Sequence, residues 1–223
     1  MKYIAIIGDV KSSKAKYAPL DLFNKMNHGV NQINNFYEKH IAKIFGVTKG
    51  DEFQGLLHLN SPVCEIVDYI RSLFEDIDFR IGIGIGELET GISDPKSPIG
   101  SNGTVWWKAN AVIEKIEMNH EKGIQKRTDT MIFGLNNSRV EQMINQVYIL
   151  MYNQKESWTK QQKHIFYQLI LQYRYKIDFK QIDAARQLDL DHKYLNKVLK
   201  AINYYDYIET MNVIQSYIQG GDI

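Results

Sequence analysis

One cysteine in 223 residues, Cys64, excludes an internal disulfide framework and any cysteine-rich zinc site. Only four prolines interrupt the chain, so Pro-rich linkers and polyproline segments are absent. No apolar run approaches membrane-spanning length. Ile4 to Ile7 is too short for a secretory leader and leads straight into Gly8-Asp9, so a cytoplasmic protein without a membrane partner is expected. Charge of either sign is not in excess: the formal net charge is +1, and any basic surface must be local. What remains is ordinary globular composition, 44% hydrophobic and 24% charged, sufficient for one large domain or a medium and a small one.

Two acidic strand ends stand out. Lys2-Tyr3-Ile4-Ala5-Ile6-Ile7-Gly8-Asp9 reads as a buried strand that stops on a carboxylate. Ile41 to Val47 and Phe53 to Leu59 are β-prone runs around Thr48-Lys49-Gly50-Asp51-Glu52, which reads as a hairpin turn. Asp and Glu are poor strand residues. A solvated turn accounts for one such pair, but two acidic strand ends match the needs of two-metal phosphoryl transfer. There Mg²⁺ takes one or two protein carboxylates and leaves its other positions to phosphate and water.

Helical spacing follows Pro19 (Leu22, Phe23, Met26, Val30, Ile33) and Pro62 (Val63, Ile66, Val67, Ile70). In Phe79 to Glu89, Ile81, Ile83 and Ile85 alternate with Gly82, Gly84 and Gly86, which leaves one strand face without side chains. Such a face admits either a ligand or a tightly packed helix. Gly91 to Gly103 reads as a loop, Thr104 to Asn119 as a helix, Glu121 to Thr128 as polar, and Thr130 to Leu135 as a last strand. The order β-α-β-β-α-β-α-β predicts an α+β, ferredoxin-like domain over residues 1–136. That topology lays the first strand beside the hairpin, so Asp9 and Asp51 meet at one sheet end.

Residues 137–157 read as a connecting helix and 158–223 as a small all-α domain. Thr159 to Tyr173, Lys180 to Leu188, Asp191 to Tyr204 and Asp206 onward have helical spacing, with Asp191 available as an N-cap. Ile182, Leu188, Leu190, Leu195, Val198 and Leu199 give the apolar spacing of a helix-turn-helix. Its second helix carries His192, Lys193, Asn196, Lys197 and Lys200, residue types suited to phosphates and base edges. Residues 151–223 hold ten Lys and Arg against eight Asp and Glu, so a plain helical bundle with a solvated basic face fits as well.

The segments Asp9-Val10-Lys11-Ser12-Ser13, Thr48-Lys49-Gly50-Asp51 and Arg80 to Leu88 resemble class III nucleotidyl cyclase motifs in their usual order. Gly50-Asp51-Glu52-Phe53 is similar to the diguanylate cyclase signature, with Lys49 in place of its leading glycine. Over most of its length, including Gly100 to Glu114 and Trp158-Thr159-Lys160, the chain resembles the SatD family. The cyclase resemblance implies Mg²⁺ or Mn²⁺ held by Asp9, Asp51 and the Val10 carbonyl, with Glu52 a third acid. It implies phosphates near Lys11, Ser12, Ser13, Lys49 and Gly50, and a nucleotide along Gly84 and Gly86. Trp107, Lys108 and Asn110 stand where cyclases carry an Asn and Arg pair, so nucleotide binding is implied more firmly than turnover. The resemblance also implies a homodimer. The resulting expectation is a DNA-binding regulator that senses a Mg-nucleotide; the alternative is an active nucleotidyl cyclase or nucleotidyltransferase, and a third reading is an adaptor that kept the fold alone.

Overall fold

A computed structural model describes residues 1–89, 94–97, 99–121 and 128–220. The expected loop from Gly91 and the polar segment after Glu121 lie partly outside the described residues. The protein is a mixed α+β structure built on a five-stranded mixed sheet. The strands are β1 (Lys2–Val10), β2 (Ile41–Val47), β3 (Glu52–His58), β4 (Phe79–Glu87) and β5 (Thr130–Phe133). They lie in the order β2-β3-β1-β4-β5. The centre is antiparallel, and β5 joins β4 in parallel. β1 is therefore the middle strand, and Ile4 to Ile7 are buried on both faces.

The helices before the last strand are α1 (Ser13–Lys16), α2 (Pro19–Phe36), α3 (Val63–Leu73) and α4 (Thr104–Glu121). One sheet face, with Ile4, Ile6, Phe53, Leu57, Ile81 and Ile83, shares a core with Met26, Val30 and Ile33 of α2 and Ile66 and Ile70 of α3. Ala5, Ile7 and Leu56 on the other face pack against Val105, Trp106 and Ala109 of α4.

The alternating glycines of β4 are filled by α4. A Cβ on Gly84 would lie 2.2 Å from the carbonyl oxygen of Val105, and one on Gly82 would lie 2.3 Å from that of Ala109. On Gly86 it would meet the Val105 backbone nitrogen at 2.7 Å. The bare face thus lets helix backbone approach strand backbone, and of the two readings left open it is the packed helix that holds.

The remaining helices are α5 (Ser138–Ser157), α6 (Lys160–Tyr173), α7 (Gln181–Gln187), α8 (His192–Ala201) and α9 (Tyr204–Gln219). Asn145 of α5 caps the edge strand β5: its side chain accepts from the Ile132 N–H and donates to the Ile132 carbonyl, both at 2.9 Å. Thr159 and Gln162 form a reciprocal capping box at the start of α6.

The expected boundary at Trp158 does not divide the core. Trp158, Phe166, Tyr204 and Tyr207 belong to the same apolar cluster as Ile4 and Ile81. A buried polar hub crosses the junction too. Asp68 of α3 faces Lys155 at 2.7 Å and accepts from the hydroxyls of Tyr175 at 2.6 Å and Tyr207 at 2.8 Å. Among the described residues no helix is long and apolar enough to cross a membrane.

Candidate functional site

Three carboxylates gather at one end of the sheet. Asp9 stands opposite Glu52 in the β1–β3 register, and the Val10 N–H donates to the Asp51 carbonyl at 3.0 Å. The backbone ladder itself therefore holds Asp51 and Glu52 beside Asp9. Gly50, at φ +84, provides the left-handed turn residue that brings β2 back into β3. Strand alternation places Asp9 on the α4 face, beyond the last residues that α4 covers.

Each acid has a local partner. Ser13 Oγ donates to Asp51 Oδ2 at 2.6 Å, while Glu52 accepts from Thr48 Oγ1 at 2.8 Å and faces Lys49 Nζ at 3.0 Å. Asp9 Oδ2 pairs with Arg80 Nη1 at 2.5 Å, and Arg80 Nη2 reaches Glu117 of α4 at 3.2 Å. Arg80 Nε is buried without a hydrogen-bond partner. Burial raises the affinity of Asp9 for a proton above the usual carboxylate range. Arg80 opposes that, but repulsion from Asp51 and Glu117 adds to it.

Arg80 and Glu117 were not singled out in the sequence. A signal for Arg80 was present, since it opens the glycine strand on the glycine face, and antiparallel pairing with β1 puts it opposite Asp9. Glu117 had none, because only the seating of α4 on the glycines brings it there.

Several expected nucleotide contacts lie elsewhere. Gly84 and Gly86 pair with Ala5 and Tyr3, far along β1 from Asp9, and are covered by α4. Lys108 donates to the Ile85 carbonyl at 2.9 Å, and Asn110 donates to the Trp106 carbonyl at 3.1 Å. The Lys108 bond ties α4 to β4, the Asn110 bond lies within α4, and neither group is paired with the acids. Lys11 leaves β1 away from the acids: its backbone N–H donates to the Asp78 carbonyl, and its ammonium lies over the Tyr152 ring at 5.5 Å. Ser12, at φ 56, is the exposed left-handed residue that turns the chain there.

The donor set suits a hard divalent cation. Asp9 and Asp51 are oxygen donors close enough to repel, and both are partly open to solvent. No three His, Cys, Asp or Glu side chains among the described residues form an all-protein metal cage. Two carboxylates are oxygen donors of the kind Mg²⁺ and Mn²⁺ take, and they lack the nitrogen and sulfur of a structural zinc site.

On α8, His192, Lys193, Lys197 and Lys200 are exposed, with Asp191 capping the helix by accepting from the Tyr194 N–H at 3.0 Å. Asn196 is not free for a base edge. It is half-buried and donates to Gln181 Oε1 at 2.8 Å, which ties α8 to α7. Ile182, expected on the apolar side of α7, is 56% exposed, and Ala184 and Ala185 fill that contact instead.

A family model described as SatD family matches residues 3–218, nearly the whole chain. The chain belongs to that family. No curated protein and no solved structure matches it.

Proposed function

We propose that this member of the SatD family is a DNA-binding regulator whose acidic sheet end holds a Mg-nucleotide. The observation that carries the nucleotide half is the register pairing of Asp9 with Glu52, which sets Asp51 beside them on a partly open face. On this reading the sheet is a ferredoxin-like palm, and α7 and α8 form a helix-turn-helix.

Asp9 and Asp51 would hold the cation, with the Val10 carbonyl beside them. Bound there, Mg²⁺ would neutralise phosphate charge. Ser13 orients Asp51, and Thr48 and Lys49 orient Glu52. Arg80 favours the ionised form of Asp9 and offsets part of the cost of burial, and it is a cationic group at the place where a nucleotide's phosphates would lie. The exposed Lys193, Lys197 and Lys200 of α8 would grip DNA phosphates, with His192 beside them at the helix start. Because the apolar core and the Asp68 hub run from the sheet to the C-terminal helices, a ligand at the sheet end acts on the body that carries α8.

A second reading, an active nucleotidyl cyclase or nucleotidyltransferase, draws its support from Arg80. A guanidinium beside Asp9 offers the transition-state cation that α4 lacks at Lys108. One experiment separates the two: incubation of the pure protein with each nucleoside triphosphate and Mg²⁺, reading both affinity and products. Mg-dependent binding without product is expected. Turnover favours the second reading, and the absence of any Mg-dependent binding rejects both.

A further inference from the structure

A cleft of about 780 Å³ opens beside the same sheet end, between α3 and β4 on one side and α5 and α6 on the other. Its walls include Lys11, Arg71, Phe74, Tyr152, Lys160 and Tyr167. None of these belongs to the acidic site built from Asp9, Asp51 and Glu52.

The cleft is lined by five carboxylates and five cations, and each carboxylate has a partner beside it, an imidazole in the case of Glu75. Asp129 faces Arg71 at 3.0 Å, Glu156 faces Lys163 at 2.9 Å, and Asp78 faces Lys16 at 3.0 Å. Asp76 meets Lys25, and Glu75 meets His164 at 2.9 Å. Lys155 is engaged with Asp68. Among the described residues, Lys11 and Lys160 reach no carboxylate at ion-pair distance. They are the two cations of the lining that no described carboxylate pairs. Lys160 also begins α6, so the positive end of a 14-residue helix adds to its field.

Lys11 has the less comfortable position. Its ammonium is half-buried and lies over the Tyr152 ring face, 5.5 Å from the ring centre. A partly desolvated ammonium without an acceptor is stabilised by an incoming anion. Tyr152, Tyr167 and Phe74 give the cleft an aromatic wall, and its volume lies within the range of small-molecule sites.

We infer that this cleft binds a phosphomonoester on an aromatic body, of mononucleotide size, with Lys11 and Lys160 on the phosphate and the tyrosines along the body. The site is independent of the acidic one. Its ligand would touch Lys11, α3 and the start of β4 on one side and α5 and α6 on the other, and so would clamp the sheet to the helices that lead to α8.

The test is calorimetric titration of the full-length protein, at fixed ionic strength in a chelator, with the four ribonucleoside 5′-monophosphates, inorganic phosphate and adenosine. Chelation silences any metal-dependent acidic site. At least one monophosphate should bind, with inorganic phosphate and adenosine each at least tenfold weaker. Lys11→Gln and Lys160→Gln should each weaken binding at least tenfold. Lys160 is exposed, so its substitution reports on the site even where Lys11→Gln unfolds the chain. Asp51→Asn should leave this binding intact while abolishing that of Mg-nucleotide, which keeps failure of one site separate from failure of the other. The inference is overturned by no monophosphate binding, by equal affinity for inorganic phosphate, or by full affinity in Lys160→Gln.

Discussion

Arg80, the second residue of β4, holds Asp9, the last but one of β1, across 2.5 Å. The two stand directly opposite in the antiparallel register, so the ion pair is built into the sheet. Even so, Asp9 remains harder to ionise than a free aspartate, because burial and the neighbouring Asp51 and Glu117 outweigh the guanidinium.

The first prediction follows from that balance. A carboxyl whose folded pKa lies above its unfolded value of 3.8 adds stability below pH 3.8, and that stability is lost as pH rises through the folded value. Above it, the ionised Asp9 is a cost to folding. Asp9→Asn should therefore be no less stable than the parent at pH 7 and should lose that relative advantage toward pH 3. Urea unfolding across this range measures it. A variant much less stable at pH 7 would mean that the Arg80 pair outweighs burial.

Gly84→Val should destabilise the fold without touching the acidic site. Its Cβ would press on the backbone of α4, 2.2 Å from the Val105 oxygen, where no side chain can move aside. Overpacking of this kind costs roughly 1–3 kcal/mol. Denaturant titration gives the loss, and nucleotide affinity per folded molecule should be unchanged.

The Asp68 hub should be the most sensitive point of the junction. Asp68→Ala leaves the half-buried Lys155 ammonium unpaired and the Tyr207 hydroxyl without its acceptor, while Tyr175 keeps the Cys64 carbonyl at 3.0 Å. Removing one partner of a buried pair costs about 3–5 kcal/mol. Limited proteolysis should then cut between α5 and α9 more readily than in the parent, and the melting temperature should fall. The double change Asp68→Asn with Lys155→Met should recover part of the loss.

On α8 the two polar types should separate cleanly. Asn196→Ala loses the 2.8 Å bond to Gln181, so it should lower stability by about 0.5–1.5 kcal/mol without changing base preference. Lys197 is exposed, and Lys197→Ala should weaken DNA binding to all sequences alike, reducing the salt slope by about one. Selection from random duplexes, followed by titration at several salt concentrations, checks both. If no duplex is enriched, α8 is a packing or partner surface.

Much of the strand and helix order was legible because it depends on local pattern. The β-branched run before Asp9, the prolines at the starts of α2 and α3, and the Gly50 turn each decide structure within a few residues, and the acids at both strand ends were visible with them. The sequence of elements also led to the expectation that β1 lies beside the hairpin, and the β1–β3 pairing does set Asp9 next to the Asp51 turn.

Decisions about which side chains are free belonged to the tertiary structure. Whether the glycines of β4 faced a ligand or a helix could not be read from β4, since both fit a bare face; the seating of α4 settled it. Asn196 has the residue type and spacing of a base reader, yet its amide is held by Gln181, fifteen positions away, through the docking of α7 on α8. Lys11 follows the acidic strand in sequence, but the left-handed turn at Ser12 and the position of α5 carry its ammonium into the cleft. Spacing along the chain fixes which face a residue joins, because backbone periodicity is local. What that residue touches is set by elements far away in sequence, and only packing brings those to it.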